Sequence, residues 1–146
     1  MSPSSVKPEE YFDEAVSKLQ TAKKAIENIV IGQTGVVENT LVTVASGGHV
    51  LLIGLPGVAK TLLVETTATV LGLSSNRVQC TPDLMPADII GSEVLEDDAK
   101  GGGKRAFRFI KGPVFTQMLM ADEINRASPR TQSALLQAMQ EHSVSA

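Results

Sequence analysis

Gly54-Leu55-Pro56-Gly57-Val58-Ala59-Lys60-Thr61 has the residue types and spacing of a phosphate-binding loop. In such a loop backbone N–H groups wrap around the phosphates of a nucleotide, and small residues let the backbone come close. Gly54, Pro56 and Gly57 would shape the turn, and Gly57, Val58, Ala59 and Lys60 would supply backbone donors. Leu62 falls in the first turn of the helix that follows, whose dipole would aim its positive end at the anion. Lys60 would reach the β- and γ-phosphates as a point charge, and the Thr61 hydroxyl would ligate Mg²⁺. One position departs from the general G-x-x-x-x-G-K-[ST] pattern, because Ala59 stands where glycine is asked for. If the loop needs positive φ there, Ala59 carries strain of about 1 kcal/mol or more. The alternative is a Gly/Pro turn that merely precedes Lys-Thr.

A second group of residues offers complementary chemistry. Met118-Leu119-Met120-Ala121 is a short apolar run that ends abruptly in Asp122-Glu123. At the tip of a parallel strand the first acid would support Mg²⁺, and Glu123 would polarise the water that attacks the γ-phosphate. Open α/β sheets bind ligands at the carboxyl ends of their strands, which predicts both acids on the same sheet edge as the phosphate loop. Lys60 and Glu123 are therefore the catalytic candidates, with Thr61 and Asp122 as metal ligands.

These groups need strands and helices to hold them. His49-Val50-Leu51-Leu52-Ile53 reads as the strand entering the loop, and Lys60 to Val70 as the helix leaving it, closed by Leu71-Gly72-Leu73. Arg77 to Cys80 reads as a further strand that Thr81-Pro82 ends, since proline cannot donate to a ladder. Cys80 is expected in a buried strand position, not as a reactive thiol. Glu9 to Val30 spaces Phe12, Ala15, Val16, Leu19, Ala22, Ile26 and Ile29 three or four apart, predicting an amphipathic helix with that stripe in the core. Ile31-Gly32-Gln33 interrupts the pattern; Thr34 to Ala45 resumes it with Val37, Leu41 and Val44 until Gly47-Gly48. Ser92 to Leu95 and Ala106 to Ile110 predict a β-hairpin with a charged, triple-glycine tip over 96–105, the alternative being an ordinary solvated loop. Ser128-Pro129 supplies an N-cap and a first helical residue, opening a helix expected to turn Leu135, Leu136 and Met139 inward.

Together these segments resemble the AAA+ ATPases, and within them the MoxR family. The resemblance is carried by the phosphate loop with its alanine, by Gln79-Cys80-Thr81-Pro82-Asp83-Leu84-Met85-Pro86-Ala87-Asp88-Ile89-Ile90-Gly91, by Gly112-Pro113-Val114-Phe115 and by Ala121-Asp122-Glu123-Ile124-Asn125-Arg126-Ala127-Ser128-Pro129-Arg130-Thr131-Gln132. It implies a three-layer αβα phosphate-loop core with a parallel sheet and a β-hairpin insertion, using ATP and Mg²⁺. It further implies that Ile31, Gly32 and Gln33 line the adenine pocket, and that Asn125 and Arg126 sense nucleotide or meet a neighbouring subunit. A ring, a hexamer by analogy, would remodel or activate a client protein, in some members beside a von Willebrand factor A-domain protein. The hairpin would face the pore or the client, with Lys100, Lys104 and Arg105 touching it.

At 146 residues the chain has length for one α/β domain. Residues 1–8 read as a flexible start, and 9–146 as the N-terminal part of the family's module, incomplete at its C-terminus. On that reading the sensor, arginine finger and helical lid are absent, and the chain binds ATP yet hydrolyses it slowly. The net charge of −3, with both signs interspersed, gives no continuous basic face, so no nucleic-acid role is expected. No run approaches the ~18 apolar residues of a membrane span, and the N-terminus lacks an apolar signal core, which predicts a cytoplasmic protein. The single cysteine excludes an intrachain disulfide. Two alternatives stay open: a nucleotide-binding but catalytically incomplete module, and a helicase-type AAA+ motor acting on DNA.

Overall fold

A computed structural model describes residues 8–55, 57–97 and 105–144. The chain divides into two compact units, Met1–Leu73 and Ser74–Ala146.

Among the described residues the first unit has three helices, α1 (Pro8–Glu27), α2 (Thr34–Ala45) and α3 (Lys60–Leu71). Its core is Ala22, Ile26, Val30, Val37, Leu41 and Leu63, with Leu52, Val70 and Leu71 packed against it. Of the α1 stripe only Ala22 and Ile26 are therefore in the core. Phe12 is 70% exposed and Ile29 52%, against the expectation that the whole stripe packs. Periodicity shows which face of a helix is apolar, but burial needs a partner along its full length. Residues 48–55 form no strand. Leu52 packs on the core while Leu51 and Ile53 are 73% and 89% exposed. The expected strand over His49–Ile53 is thus corrected to a run outside any ladder: among the described residues this unit has no strand to pair it with.

The second unit contains β1 (Ser75–Gln79), α4 (Pro86–Ile90), β2 (Gly91–Asp97), β3 (Arg105–Lys111), β4 (Met118–Asp122), a 3-10 turn over Ile124–Arg126 and α5 (Pro129–Glu141). β1 and β4 are parallel, in the register Arg77 opposite Met120, Val78 opposite Ala121 and Gln79 opposite Asp122. This parallel pair flanked by helices is the α/β core that the sequence predicts. Because side chains alternate, Val78, Leu119 and Ala121 share the face that packs with Ile89, Leu135, Leu84, Val114 and Ile124. Cys80, one residue past β1, is fully buried, as expected. α5 carries Leu135 inward, but Leu136 is 53% exposed and Met139 38%. The expectation that all three point inward fails at Leu136 on geometry, since consecutive helical residues lie about 100° apart; Met139 lies one turn beyond Leu135 on the face of Thr131 and Leu135, toward the helix end, and is only partly covered.

The hairpin forms as expected, with β2 antiparallel to β3 and Leu95 opposite Phe107. Its base is closed by Gly91 and Gly112: a Cβ on Gly91 would lie 2.0 Å from the Ile110 carbonyl oxygen, and one on Gly112 2.2 Å from that of Ile89. Neither position admits a side chain. Lys100, Lys104 and the Gly101–Gly103 tip lie outside the described residues, as does Pro56 in the phosphate loop. The short helix α4, a stretch for which the sequence predicts no element, is opened by Pro86 and held by the Asp88 carboxylate, which accepts the Met85 N–H at 2.8 Å.

Candidate functional site

In the first unit the loop reaches α3 through two residues in left-handed conformations, Gly57 at φ 84° and Ala59 at φ 56°. Glycine takes this conformation freely, whereas in Ala59 it costs about 1–2 kcal/mol. The positive φ foreseen from the missing glycine is therefore present. Ala59 caps α3: its carbonyl accepts the Leu63 N–H at 2.9 Å. The first-turn amides of Lys60, Thr61 and Leu62 have no intrahelical acceptor and remain for a ligand. The Lys60 ammonium donates to the Gly54 carbonyl at 2.7 Å, so the lysine lies back along its own loop. A Cβ on Gly54 would press on Val58 Cγ2 at 3.1 Å, so a side chain there requires Val58 to give way slightly.

Ile31, Gly32 and Gln33 occupy the turn between α1 and α2. Ile31 is 83% exposed, and Gly32 makes the reversal at φ 79°. Gln33 is the N-cap of α2, but its side chain does not cap that helix. Its amide Nε2 instead donates to the Val58 carbonyl in the phosphate loop, at 2.9 Å. The structure thus brings Gln33 together with Val58, the residue before Ala59, a link that no periodicity or motif spacing reveals.

In the second unit Asp122 closes strand β4 and Glu123 follows at φ 53°, capping the 3-10 turn. Arg77 Nη2 donates to Asp122 Oδ2 at 2.7 Å, a diagonal pair across the ladder. Glu123 Oε2 accepts from Gln79 Nε2 at 2.9 Å and from Arg126 Nη1 at 2.7 Å. Arg77, Glu123 and Arg126 are each about half exposed, so these ion pairs are worth no more than about 1 kcal/mol each and are readily exchanged. The turn that carries the acids is pinned from α5: Gln132 Nε2 donates to the carbonyls of Ile124 and Ala127, at 3.2 and 3.1 Å. α5 is in turn fixed by its Ser128 cap and by Thr131 Oγ1 donating to the Leu84 carbonyl at 2.6 Å. Asn125 lies in the turn and is exposed. Burial, aided by the nearby Asp122 carboxylate, pushes the Cys80 thiol above its ordinary range.

Arg77, Gln79 and Gln132 were not among the sequence candidates. Arg77 and Gln79 stand two apart on a strand and so share a face, which the sequence does show. That this face is the one carrying Asp122 depends on the β1–β4 register, which it does not.

Comparison with known proteins agrees with the motifs. The profile of the "ATPase family associated with various cellular activities (AAA)" matches residues 49–146. Chaperone MoxR1 of Mycobacterium tuberculosis is 49% identical over 130 residues, covering 89% of this chain and 33% of that protein. Protein MoxR of Paracoccus denitrificans is 35% identical over 135 residues, 89% of this chain and 38% of that one. The crystal structure of an ATPase candidate from Cytophaga hutchinsonii superposes with a TM-score of 0.69 at 37% identity, over 92% of this chain and 42% of that chain. The chain therefore spans 33 to 42% of the length of these relatives. With a profile match over the phosphate loop and acid pair, and this identity across most of its length, the chain belongs to the AAA ATPases as a MoxR-type member.

Proposed function

We propose that this chain is the nucleotide-binding part of a chaperone-like ATPase that works as a ring on a client protein. The observation that carries the reading is the loop conformation: two left-handed residues, Gly57 and Ala59, deliver the chain into α3 with Lys60 and Thr61 in its first turn. That arrangement collects backbone donors, a hydroxyl and an ammonium where a triphosphate would be held.

On this reading Gly57, Val58, Ala59 and Lys60 present N–H groups, and the Lys60 ammonium leaves the Gly54 carbonyl to neutralise phosphate charge. The donor set suits Mg²⁺, a hard ion that prefers oxygen: the Thr61 hydroxyl and an Asp122 carboxylate oxygen would hold it, with Asp122 exchanging Arg77 for the metal. Bound there, Mg²⁺ would offset charge on the phosphate oxygens. Glu123 orients the attacking water once its carboxylate is released from Gln79 and Arg126. Ile31, Gly32 and Asn125 complete the nucleotide contacts. Phosphoryl transfer is mainly positioning and charge stabilisation, so turnover depends on groups that a neighbouring subunit would supply. Subunit number, a hexamer by analogy, the client and any von Willebrand factor A-domain partner follow from the family. No helix among the described residues is long and apolar enough to cross a membrane. A cytoplasmic setting is part of the same proposal.

Calorimetric titration with Mg-ATP, beside Lys60→Ala, tests the reading. Saturable binding near one nucleotide per chain, weakened ~10- to 100-fold in the variant, is expected from losing a charge-assisted contact. A folded chain that takes up no nucleotide would overturn it.

A further inference from the structure

We propose that Gln33 is a positioning residue of the phosphate loop, setting the Val58–Ala59 peptide so that the loop keeps its binding conformation without a glycine at position 59. This rests on the nucleotide-binding reading of that loop.

Three observations converge on Gln33. It sits at the N-cap of α2, a position that favours short side chains able to reach their own helix, and it makes no such cap. Its amide crosses to the phosphate loop, donating to the Val58 carbonyl at 2.9 Å. The residue after that carbonyl is Ala59, the non-glycine at φ 56°. A trans peptide is planar, with its C=O and N–H pointing opposite ways. Holding the Val58 carbonyl on the Gln33 side therefore turns the Ala59 N–H to the other side, away from Gln33 and free to donate to a phosphate. Ala59 is gripped from its far side as well, by the Leu63 N–H on its carbonyl at 2.9 Å. The left-handed conformation is thus fixed at both flanking peptides. Alanine would otherwise leave it for right-handed or extended backbone, whereas glycine populates both hands about equally.

A consequence follows for ligand choice. A glutamine acting through the phosphate loop affects every nucleoside triphosphate alike, whereas one acting on the base changes the preference among them. Mg-ATP and Mg-GTP are therefore titrated into four proteins: the unaltered chain, Gln33→Met, Ala59→Gly and the double variant. Methionine keeps the length of the side chain and removes the donor. Gln33→Met should weaken both nucleotides equally, by ~3- to 10-fold, the worth of one hydrogen bond that selects the competent conformer. With glycine at 59 the same change should weaken binding less than ~2-fold, because glycine reaches the conformer unaided. A shifted ATP:GTP ratio, or an equal loss in both backgrounds, overturns the proposal.

A second readout needs no nucleotide. The ¹³C shifts of Ala59 Cα and Cβ report its backbone conformation, and in Gln33→Met they should move away from left-handed values while those of α2 stay helical. Unmoved Ala59 shifts overturn the proposal even in a protein that binds nucleotide well. If the unaltered chain binds no nucleotide but the shifts move as expected, the nucleotide reading fails and the positioning role of Gln33 stands.

Discussion

Val50 to Ile53 and Met118 to Ala121 are both short apolar runs leading into a candidate site motif, yet they end in different structures. The second pairs with Ser75–Gln79 in a parallel ladder and turns Leu119 and Ala121 into the core beside Val78. Among the described residues the first has no partner strand within its unit; Leu52 packs on the helices, while Leu51 and Ile53 face solvent. An apolar run becomes a strand only when another backbone takes up its N–H and C=O groups. The two motifs reflect this difference. The acids are held by side chains reached through strand register, Arg77 and Gln79, with Arg126 of the adjoining turn also on Glu123. The phosphate loop is held by a helix cap and by one side chain from a distant turn, Gln33.

The largest effect expected tests the acid end. Glu123→Gln should lower ATP turnover ~10²- to 10⁴-fold in the assembled protein, the range for losing a positioned base, with nucleotide binding nearly unchanged. Phosphate release measured beside calorimetry checks this; undiminished turnover would move the chemistry away from β4.

Packing provides the next test. Ile89→Ala should cost about 2–5 kcal/mol, since Ile89 is fully buried in the second core, whereas Leu51→Ala should cost less than about 0.5 kcal/mol. Denaturant midpoints would show it, and a Leu51 cost near that of Ile89 would mean that the first run is paired in solution after all.

Ala59→Gly should stabilise the chain by about 0.5–1 kcal/mol: relief of left-handed strain of about 1–2 kcal/mol outweighs the added freedom of the unfolded chain, about 0.4–1 kcal/mol. A destabilised variant would show that Ala59 contributes packing as well as strain.

The smallest effect concerns Cys80. Burial raises its thiol, so the folded state disfavours the thiolate. Its contribution to stability should be intact below about pH 8.5, the unfolded-state value, and decline as pH rises toward the folded-state value. Cys80→Ala should flatten the pH dependence of the thermal midpoint in that alkaline window, and maleimide should label the native thiol slowly.

Local chemistry was legible. The glycine spacing, Lys-Thr and the positive φ at 59 followed from residue types, as did the Ser128 cap, the hairpin and both helices flanking Ile31-Gly32-Gln33. The exposed ends of the α1 stripe and the outward Leu136 and Met139 were not, because an apolar residue is buried only where another element meets it. Arg77 and Gln79 escaped for a related reason. Their partners, Asp122 and Glu123, lie more than forty residues away in sequence, at separations of 45 and 44.

By itself, then, the sequence determined what a few neighbouring residues must do: bend at Gly57 and Ala59, cap at Ser128, and place two carboxylates at the end of an apolar run. Backbone sterics and hydrogen-bond capacity act within a turn or two of the chain, so residue order is enough to read them. Which apolar run became a strand, which strand donors reach each acid and where Gln33 sends its amide were decided by tertiary structure. Each of those outcomes depends on a group far away in sequence arriving within about 3 Å, the reach of a hydrogen bond.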